Sequence, residues 1–530
     1  LKSDPKMSQT SEKVIWRLLV LSFVLATLYR LYPIISGTSV LREAFMTEDG
    51  YLMLTIARNM AIGLGMSVSD GTIASNGVQP LATFIFSVPY LLSGGDKVLG
   101  IAGVQFISAM IAVIGIFTVH RFFRLILATQ DDRPIWPWLL TAIWFASPIM
   151  LMHTMNGLET GLYSVMLTVT LVVFGKVLMQ QDPRNMRLPL LLGVVGGITF
   201  LARNDAVFLL FSIFGVWFIH EVFVARLGLA SALRLIIPAG LLIVLMSAPW
   251  MINNYVNFGS IVPVSGTAQS LSGGFARNAD ILPAILFEYA FLMFPVPAAF
   301  QGMPVFQWSA VAVVTTILVA FMVQTWRRGG SIRYVVAAYM TYAVVMAAYY
   351  GFYFGAGWFL SRYLSPLAPL LTVATFSVAL GLAQLLVKSR AAQVMRGLGL
   401  VSLLLCFVLL GRFLVPGVKE QGHFQVVDWV NQNVPEETWV GAVQTGTLGY
   451  WHDKTINLDG KVNPAALNAL LTEGHFLNYV VDSPIVYLAD WAGIASWVTD
   501  EMADRNARFV EEFELVLHEP ENNLTVLKRR

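Results

Sequence analysis

Apolar runs of about 20 residues recur along the whole chain, and this feature constrains its fold more than any other. A helix of that length matches the hydrocarbon thickness of a bilayer. Of the 530 residues, 56% are hydrophobic and 12% are charged, where a soluble domain carries about 25% charged residues. Barrel strands are about ten residues long with alternating polarity, a pattern that these runs lack. The sequence therefore predicts an all-α polytopic membrane protein.

Eleven of the apolar runs are predicted to cross the membrane. They are 14–35, 98–119, 135–152, 158–179, 188–202, 205–222, 232–252, 309–326, 332–354, 363–387 and 396–415. Two further apolar segments, 79–95 and 282–300, are short or interrupted by proline, and we place them at the membrane interface. Counting 79–95 as a span would invert the charge bias of the loops.

The distribution of Lys and Arg predicts the orientation, because cytoplasmic loops carry an excess of these residues. With the N-terminus inside, the loops predicted to face the cytoplasm hold sixteen of them and the outer loops hold six. Residues 1–13 are expected to be a cytoplasmic N-terminus or a cloning remnant ahead of Met7. An odd number of spans then places the C-terminal tail outside.

The chain is predicted to divide into a transmembrane domain, 14–415, and a small extracytoplasmic α/β domain, 416–530, where soluble-protein composition begins. The tail is expected to contain three strands and two helices. These are Trp439–Val443, Thr455–Leu458 and Ile485–Leu488 as strands, with Phe424–Asn433 and Ala465–Leu471 as helices. A net charge of +2 does not suggest nucleic acid as a partner. The single cysteine, Cys406, lies in an apolar run and is expected to be inert.

The first outer loop, 36–97, contains an acidic pair, Glu48 and Asp49, directly before an amphipathic run. Carboxylates just outside a bilayer can accept a proton from a hydroxyl or hold a cation. They can equally cap the helix that follows them. The same loop continues with Asn76 and Gln79.

Three charged residues lie where predicted spans meet the outer surface. Glu159 stands at the outer end of an apolar run, where a carboxylate either faces a cavity or favours a helix N-terminus. Arg203 can bind a phosphate through its fork of donors or pair locally with Asp205. Arg362, followed by Tyr363, can bind a phosphate or extend its head group to the interface.

Two other segments carry polar and aromatic groups at the outer side. One contains Trp250, Asn253, Asn254 and Tyr255, which suit a sugar because amides bond hydroxyls and aromatic rings cover its apolar face. An interfacial aromatic belt explains the same residues. In the tail, the stretch from Asp459 to Lys461 is by itself only a turn signal.

Taken in order, these segments resemble the multispanning glycosyltransferases of the C superfamily (GT-C), which use polyprenyl-phosphate sugars. Glu48–Tyr51, Ala57–Ala61 and Gly63–Gly65 are similar to the family's acidic pair, helix and glycine turn. Further landmarks are Asn76–Leu81, Asn156–Thr160, Arg203–Asp205, Pro263–Ser265, Arg362–Leu367 and Leu458–Pro464. The likeness is greatest to bacterial terminal arabinofuranosyltransferases.

This resemblance implies an inverting transfer of a sugar, arabinofuranose, from a polyprenyl-phosphate lipid donor to a hydroxyl of a glycan or glycoprotein acceptor. It implies Asp49 as the general base beside Glu48, and Arg203, Arg362 and Tyr363 as ligands of the donor phosphate. The residues implied to bind sugar or acceptor are Glu159, Asp205, Trp250, Asn253, Asn254, Tyr255, Asn76, Gln79, Asp459 and Lys461. No cofactor is required, although a divalent metal between Glu48 and Asp49 stays open. The implied location is a bacterial inner membrane.

The chain departs from the family pattern at three places. Glu48 stands where Asp is expected, Gly50 where Ala is expected, and Asn204 interrupts an Arg-Pro-acidic turn. The sequence disfavours two other classes of function. A transporter or lipid flippase would show internal symmetry and ionisable residues at the bilayer midplane, which the sequence lacks. A membrane-anchored scaffold would leave the charged helix ends without a role.

Overall fold

The computed structural model describes residues 9–182, 184–355, 357–414, 422–499 and 506–530. The predicted domain boundary at 415/416, and residues 1–8 of the predicted N-terminal segment, lie outside these ranges. The helices of the first part are α1 (Gln9–Ile35), α2 (Thr38–Glu43), α3 (Glu48–Ala61), α4 (Pro80–Leu92), α5 (Lys97–Leu127), α6 (Ile135–Ala146), α7 (Pro148–Met155), α8 (Thr160–Leu178), α9 (Arg187–Ala202) and α10 (Ala206–Ile219).

The second part of the membrane region continues with longer helices and several short ones. They are α11 (Leu229–Phe258), α12 (Val264–Ser270), α13 (Leu282–Ala290), α14 (Ala298–Gln301), α15 (Pro304–Arg328), α16 (Ile332–Phe352), α17 (Leu360–Leu364), α18 (Ala368–Leu386) and α19 (Ala391–Leu414). A two-stranded ribbon, β1 (Ser67–Val68) and β2 (Ile73–Ala74), lies in the first outer loop.

The polytopic membrane class is confirmed, since nine helical stretches of the described residues are long and apolar enough to span a bilayer. The prediction of eleven spans differs at two places. The run 135–152 is broken at Ser147, where α6 and α7 meet at 64°, and the pair counts as a tenth span if taken together. The run 188–202 forms α9, whose 16 residues rise about 24 Å, less than a hydrocarbon core of about 30 Å.

The short α9 nevertheless connects the two ends of the bundle. The helix before it, α8, starts beside Glu159 and ends at Leu178. Arg203, directly after α9, lies 3.8 Å from Glu159. The chain therefore returns to the level from which α8 departed. Helix α9 packs closely against α11. Gly193 and Gly197 allow this packing, because both face α11 with no room for a side chain.

The small C-terminal α/β domain is also confirmed, and it is built on a five-stranded mixed sheet. In chain order its elements are α20 (Phe424–Asn433), β3 (Val440–Ala442), α21 (Gly446–Trp451), β4 (Thr455–Asn457), α22 (Pro464–Glu473), α23 (Leu477–Asp482), β5 (Tyr487–Asp490), α24 (Ala507–Glu512), β6 (Phe513–Glu519) and β7 (Leu524–Arg529). The strand order is β4-β3-β5-β7-β6, with β3 parallel to β4 and β5. The sequence did not predict the antiparallel β6–β7 hairpin.

The first outer loop and the C-terminal domain share one apolar core. Tyr51 of α3 is fully buried, and its ring lies 5.1 Å from that of Tyr450 and 5.9 Å from that of Phe424. Asp453 adds ion pairs to Arg58 at 3.3 Å and to Lys97 at 3.1 Å. This packing holds the edge of the tail domain against the helix that carries Asp49.

Candidate active site

Asp49 lies in the first turn of α3, between two cations that come from distant parts of the chain. Arg362 Nη1 donates to Asp49 Oδ2 at 2.8 Å, and Lys461 Nζ lies 3.6 Å from Oδ1. Burial raises the pKa of Asp49, but the charges of Lys461 and Arg362 outweigh it and bring the pKa below its ordinary value. The carboxylate is therefore ionised and anchored.

Thr47, rather than either carboxylate, caps α3. Its Oγ1 accepts the Gly50 amide at 3.1 Å and donates to the Asn156 carbonyl at 3.1 Å. A Cβ at position 50 would overlap that same carbonyl, so only glycine fits where the family pattern has alanine. The interpretation of Glu48 and Asp49 as helix caps is therefore wrong, and Asp49 is left to face the cavity.

Lys461 reaches this site from the loop after β4 of the C-terminal domain. Its ammonium lies 3.2 Å from Asp459, whose Oδ1 also accepts the Lys461 amide at 2.9 Å. Burial lowers the pKa of Lys461, but Asp49 and Asp459 together raise it above its ordinary value. Gly77 allows the approach, because a Cβ there would overlap the Lys461 carbonyl. The tail domain thus supplies one charge of the site.

A second charged group surrounds Arg203 on the other side of the cavity. Arg203 lies 2.9 Å from Asp205 and 3.8 Å from Glu159, and Tyr350 donates to Asp205 at 2.7 Å. Burial raises the pKa of Asp205, with Arg203 and Tyr350 opposing that effect. The Arg203 guanidinium lies 4.8 Å from the centre of the Tyr363 ring.

Tyr363 joins the two charged groups into one site. Its ring stacks on Tyr350 at 4.5 Å, and the Arg362 guanidinium lies 5.0 Å from its centre. Arg203 Nη1 and Arg362 Nε are buried without a hydrogen-bond partner among the residues described. Buried donors of this kind are costly unless a ligand or water satisfies them. Both guanidinium groups therefore retain donor capacity for a ligand.

These residues line one cavity of about 320 Å³ between the helical bundle and the C-terminal domain. Eight of the residues predicted from the sequence lie on its walls. They are Asp49, Gln79, Glu159, Arg203, Asp205, Arg362, Tyr363 and Lys461. Part of the wall is apolar and includes Val207, Phe208 and Val262. Val207 lies at the rim of the cavity, and about half of its surface is exposed.

Glu48 lies outside this cavity and faces the C-terminal domain instead. Its carboxylate accepts the Gly446 and Thr447 amides at the start of α21, and the Thr447 hydroxyl at 2.8 Å. Gly446 is required here, because a Cβ would overlap Glu48 itself. Adjacent helical residues point about 100° apart, so the two carboxylates do not share one site. The described residues contain no group of three or more His, Cys, Asp or Glu arranged to hold a metal.

The run from Trp250 to Tyr255 does not line the cavity either. It forms the last turns of α11, so its side chains point in different directions. Asn254 is buried and donates to the Ile261 carbonyl at 3.3 Å, whereas Tyr255 is 65% exposed. Asn253 accepts from the Asn257 amide at 2.9 Å. Trp250 is buried beside this turn.

Asn76 and Gln79 have positioning contacts around the cavity. Asn76 is fully buried, and its Oδ1 accepts the Val264 amide at 3.1 Å. Gln79 accepts the Asn204 amide at 3.2 Å. These bonds tie the first outer loop to the segment before α10 and to the first residue of α12.

Four residues that the sequence did not predict also line the cavity. They are Tyr349, Tyr350, Phe354 and Gln269. A dense aromatic stretch, 349–354, at the C-terminal end of α16 was the signal that could have identified three of them. Gln269 carries no such signal, since a single glutamine in a short helix has no distinguishing pattern.

Replacing Arg203 by alanine is expected to destabilise the protein strongly. The substitution leaves Asp205 and Glu159 buried without their cation, and removing one partner of a buried pair costs about 3–5 kcal/mol. The matched control is Arg508→Ala, which removes an exposed pair with Asp482 at 3.0 Å and should cost less than about 1 kcal/mol. Thermal unfolding in detergent measures both, and equal small losses would show that the Arg203 pairs do not stabilise the fold.

Asp490 is expected to make the stability of the C-terminal domain fall between pH 4 and pH 7. Burial raises its pKa to about 7, although the Gln444, Trp491 and Val443 amides oppose this. The folded state then holds a proton that the unfolded state releases near pH 4, so stability is greatest at low pH and is lost as the pH rises. Asp490→Asn should flatten the melting temperature over this range, with the exposed Asp482→Asn as control. An unchanged slope in Asp490→Asn would contradict the assignment.

Sequence and structure comparisons show which known proteins this chain is similar to. A sequence profile for a domain of unknown function, DUF8728, matches residues 416–522. No curated protein matches the chain. Among solved structures, the oligosaccharyltransferase AglB of Archaeoglobus fulgidus, with an inhibitory peptide and a dolichol-phosphate, aligns with a TM-score of 0.57 at 12% identity, covering 98% of this chain and 74% of that one.

Two further structures extend the comparison. The Archaeoglobus fulgidus oligosaccharyltransferase complexed with zinc and sulfate gives a TM-score of 0.55 at 12% identity, covering 90% of this chain and 69% of that one. ArnT of Cupriavidus metallidurans, bound to undecaprenyl phosphate, gives 0.48 at 11% identity and covers 98% of each chain. At these identities the AglB likeness defines the fold alone. The chain has the fold of the Archaeoglobus fulgidus oligosaccharyltransferase.

Proposed function

We propose that this protein is an inverting glycosyltransferase that takes a sugar from a polyprenyl-phosphate lipid and transfers it to an acceptor hydroxyl. The observation that carries the proposal is Asp49, a carboxylate held between Arg362 and Lys461 in a cavity with one apolar side. A base and two cations within reach of each other suit a reaction in which a hydroxyl attacks and a phosphate leaves.

In the proposed step, the acceptor oxygen forms a bond to the anomeric carbon as the bond from that carbon to the phosphate oxygen breaks. Asp49 accepts the hydroxyl proton, and the electron pair of the broken bond leaves with the lipid phosphate. Arg362 and Lys461 stabilise the charge that develops on that phosphate. Attack from the side opposite the leaving group inverts the anomeric centre. The proposal requires no metal.

Donor binding would also tune the base. Lys461 and Arg362 hold the pKa of Asp49 below its ordinary value. A phosphate bound to the same cations would share their charge and add its own negative charge nearby. Both effects raise the pKa of Asp49 and make it a stronger base. Asp49 would thus become reactive when the donor is in place.

The other walls suggest where the rest of the donor lies. Glu159 and Asp205, held by Arg203, would bond sugar hydroxyls, and Tyr363 would cover the apolar face of the sugar. The polyprenyl chain would leave along Val207 and Phe208 toward the bilayer. Arabinofuranose is the proposed sugar, and a glycan or glycoprotein the proposed acceptor. We place the reaction at the outer face of a bacterial inner membrane, with the N-terminus cytoplasmic and the tail extracytoplasmic.

A ligand panel tests the proposal. Purified full-length protein is heated with undecaprenyl phosphate, with its arabinofuranosyl form and with forms that carry other sugars. Binding to the folded state raises the melting temperature with concentration. One sugar-loaded lipid should stabilise the protein more than the bare lipid phosphate does. No stabilisation by any of them would reject the donor class and favour a transporter.

A further inference from the structure

A second cavity, of about 500 Å³, lies at the end of the bundle opposite the candidate active site. Helix α5 begins at Lys97, which contacts Asp453 of the C-terminal domain, and its 31 residues rise about 46 Å to Leu127. The cavity is lined by the last turns of α5, the loop 128–134 and the last turns of α8, and it is open to solvent. It therefore lies at the other membrane surface.

Three unpaired cations line this cavity. Arg121 and Arg124 are three residues apart on one face of α5, and Lys176 approaches from the end of α8. All three are exposed, and none has an ion pair or a hydrogen bond with another residue of the described ranges. Like charges gathered without counter-ions create a potential that attracts an anion.

The acidic residues of the loop do not neutralise this group. Asp131 accepts the Arg133 amide at 3.1 Å and lies 3.7 Å from Arg133 Nε. The charges of Asp131 and Arg133 therefore offset each other. Asp132 is left as a single anion against three cations.

The loop that lines the cavity is held in place by hydrogen bonds to other helices. Gln130 donates to the Ser377 carbonyl at 2.8 Å and accepts from Arg328 at 3.2 Å. The remaining wall is apolar and includes Val172 and Met179, the latter 48% exposed at the rim. A charged pocket beside an apolar rim, at the membrane surface, suits a molecule with an anionic head and a hydrocarbon chain.

We propose that this cavity is a binding site for the head group of a phosphate-bearing membrane lipid with a net negative charge. The phosphate would contact Arg121, Arg124 and Lys176, and the chain would run past Met179 into the bilayer. An anionic phospholipid and a polyprenyl phosphate share this chemistry. The site is separate from the Asp49 cavity and has its own charges.

A fluorophore at the rim tests the site without interference from the Asp49 cavity. The chain has one cysteine, Cys406, which is buried, so Met179→Cys in a Cys406→Ala background gives a single label. The full-length protein is placed in phosphatidylcholine nanodiscs containing increasing fractions of brominated phosphatidylglycerol or brominated phosphatidylcholine. Bromine quenches on contact. Brominated phosphatidylglycerol should quench at a mole fraction about 100-fold lower than brominated phosphatidylcholine, since three cations contribute about fivefold each.

Matched triple variants separate the cavity from general surface charge. Arg121→Gln with Arg124→Gln and Lys176→Gln should lower the preference for phosphatidylglycerol by about 100-fold, since each cation contributes about fivefold. The control removes the same charge from exposed residues on the same surface outside the cavity. These are Arg226→Gln, Arg234→Gln and Arg390→Gln. The control should keep the preference of the unsubstituted protein.

Competition identifies the ligand. Displacement by unlabelled phosphatidylglycerol or by undecaprenyl phosphate supports the proposal, and the stronger of the two names the source. Displacement by inorganic phosphate at the same concentration would mean a free-anion site and overturn it. Equal quenching by both brominated lipids, or an equal loss in the two triple variants, would overturn it as well.

Discussion

Replacing Asp49 by asparagine is expected to lower the rate of sugar transfer by about 10²- to 10⁴-fold, the usual contribution of a general base. The amide keeps the shape of the side chain and can still accept a hydrogen bond from Arg362, but it cannot take up the acceptor proton. One negative charge also disappears beside the phosphate-binding cations. Donor affinity should therefore be unchanged or tighter while kcat falls. Initial rates and donor titrations measure the two effects separately.

Asp70→Asn is the matched control for this experiment. Asp70 pairs with Lys454 at 2.8 Å on the surface of the first outer loop, away from the cavity walls. Its substitution should leave both kcat and donor affinity within about twofold, as for surface positions in general. Full turnover in Asp49→Asn would remove Asp49 as the base. A parallel loss of donor binding would instead indicate a structural role.

Replacing Arg362 by alanine should weaken donor binding and lower kcat/KM by about 10²- to 10³-fold. The side chain is mostly buried, and its guanidinium is the cation nearest to Asp49, at 2.8 Å. Removing one preorganised donor to a developing anion has effects of this size in other enzymes. Arg362→Lys keeps the charge without the planar fork and should recover part of the loss. The dissociation constant for bare undecaprenyl phosphate isolates the phosphate contact.

The control for Arg362 is Arg277→Ala, which removes an exposed arginine from another outer segment. Arg277 donates to the Ser272 carbonyl and does not line the cavity. Its loss should change donor affinity by less than about twofold. If Arg362→Ala binds the bare lipid phosphate as well as the unsubstituted protein does, the phosphate lies elsewhere.

The two halves of the acidic pair have different tasks because they lie on a helix. Asp49 points into the cavity, and Glu48 points at the amides of Gly446 and Thr447. The same turn of α3 therefore joins the site to the tail domain. Lys461 completes that connection from the other side. The tail is thus a part of the site rather than an appended module.

Much of the membrane region could be predicted, because the length of an apolar run is a local property of the sequence. The bend at Ser147 and the short α9 could not, since both depend on packing between helices. The sequence predicts Arg362 and Asp49 as separate candidates that lie far apart in the chain. Their 2.8 Å contact, 313 residues apart in the chain, is set by tertiary structure.

Polar clusters in the sequence were less informative than charged residues at span ends. The stretch from Trp250 to Tyr255 looked like a sugar site because its composition was suitable, yet a helix distributes such a run over several directions. The residues around Lys461 indicate only a turn. No feature of the neighbouring sequence indicates that this loop packs against Gly77. Close approaches of this kind depend on the whole fold.

The most direct test of the proposed transfer is a turnover measurement. The full-length protein is incubated with arabinofuranosyl undecaprenyl phosphate and a cell-envelope acceptor fraction, and the release of bare undecaprenyl phosphate is followed by mass spectrometry. We expect acceptor-dependent release with the unsubstituted protein and with Asp70→Asn, and a rate at least about 10²-fold lower with Asp49→Asn. If Asp49→Asn releases undecaprenyl phosphate as fast as the unsubstituted protein, the account is contradicted. The absence of release with every sugar-loaded donor of the panel would contradict it as well.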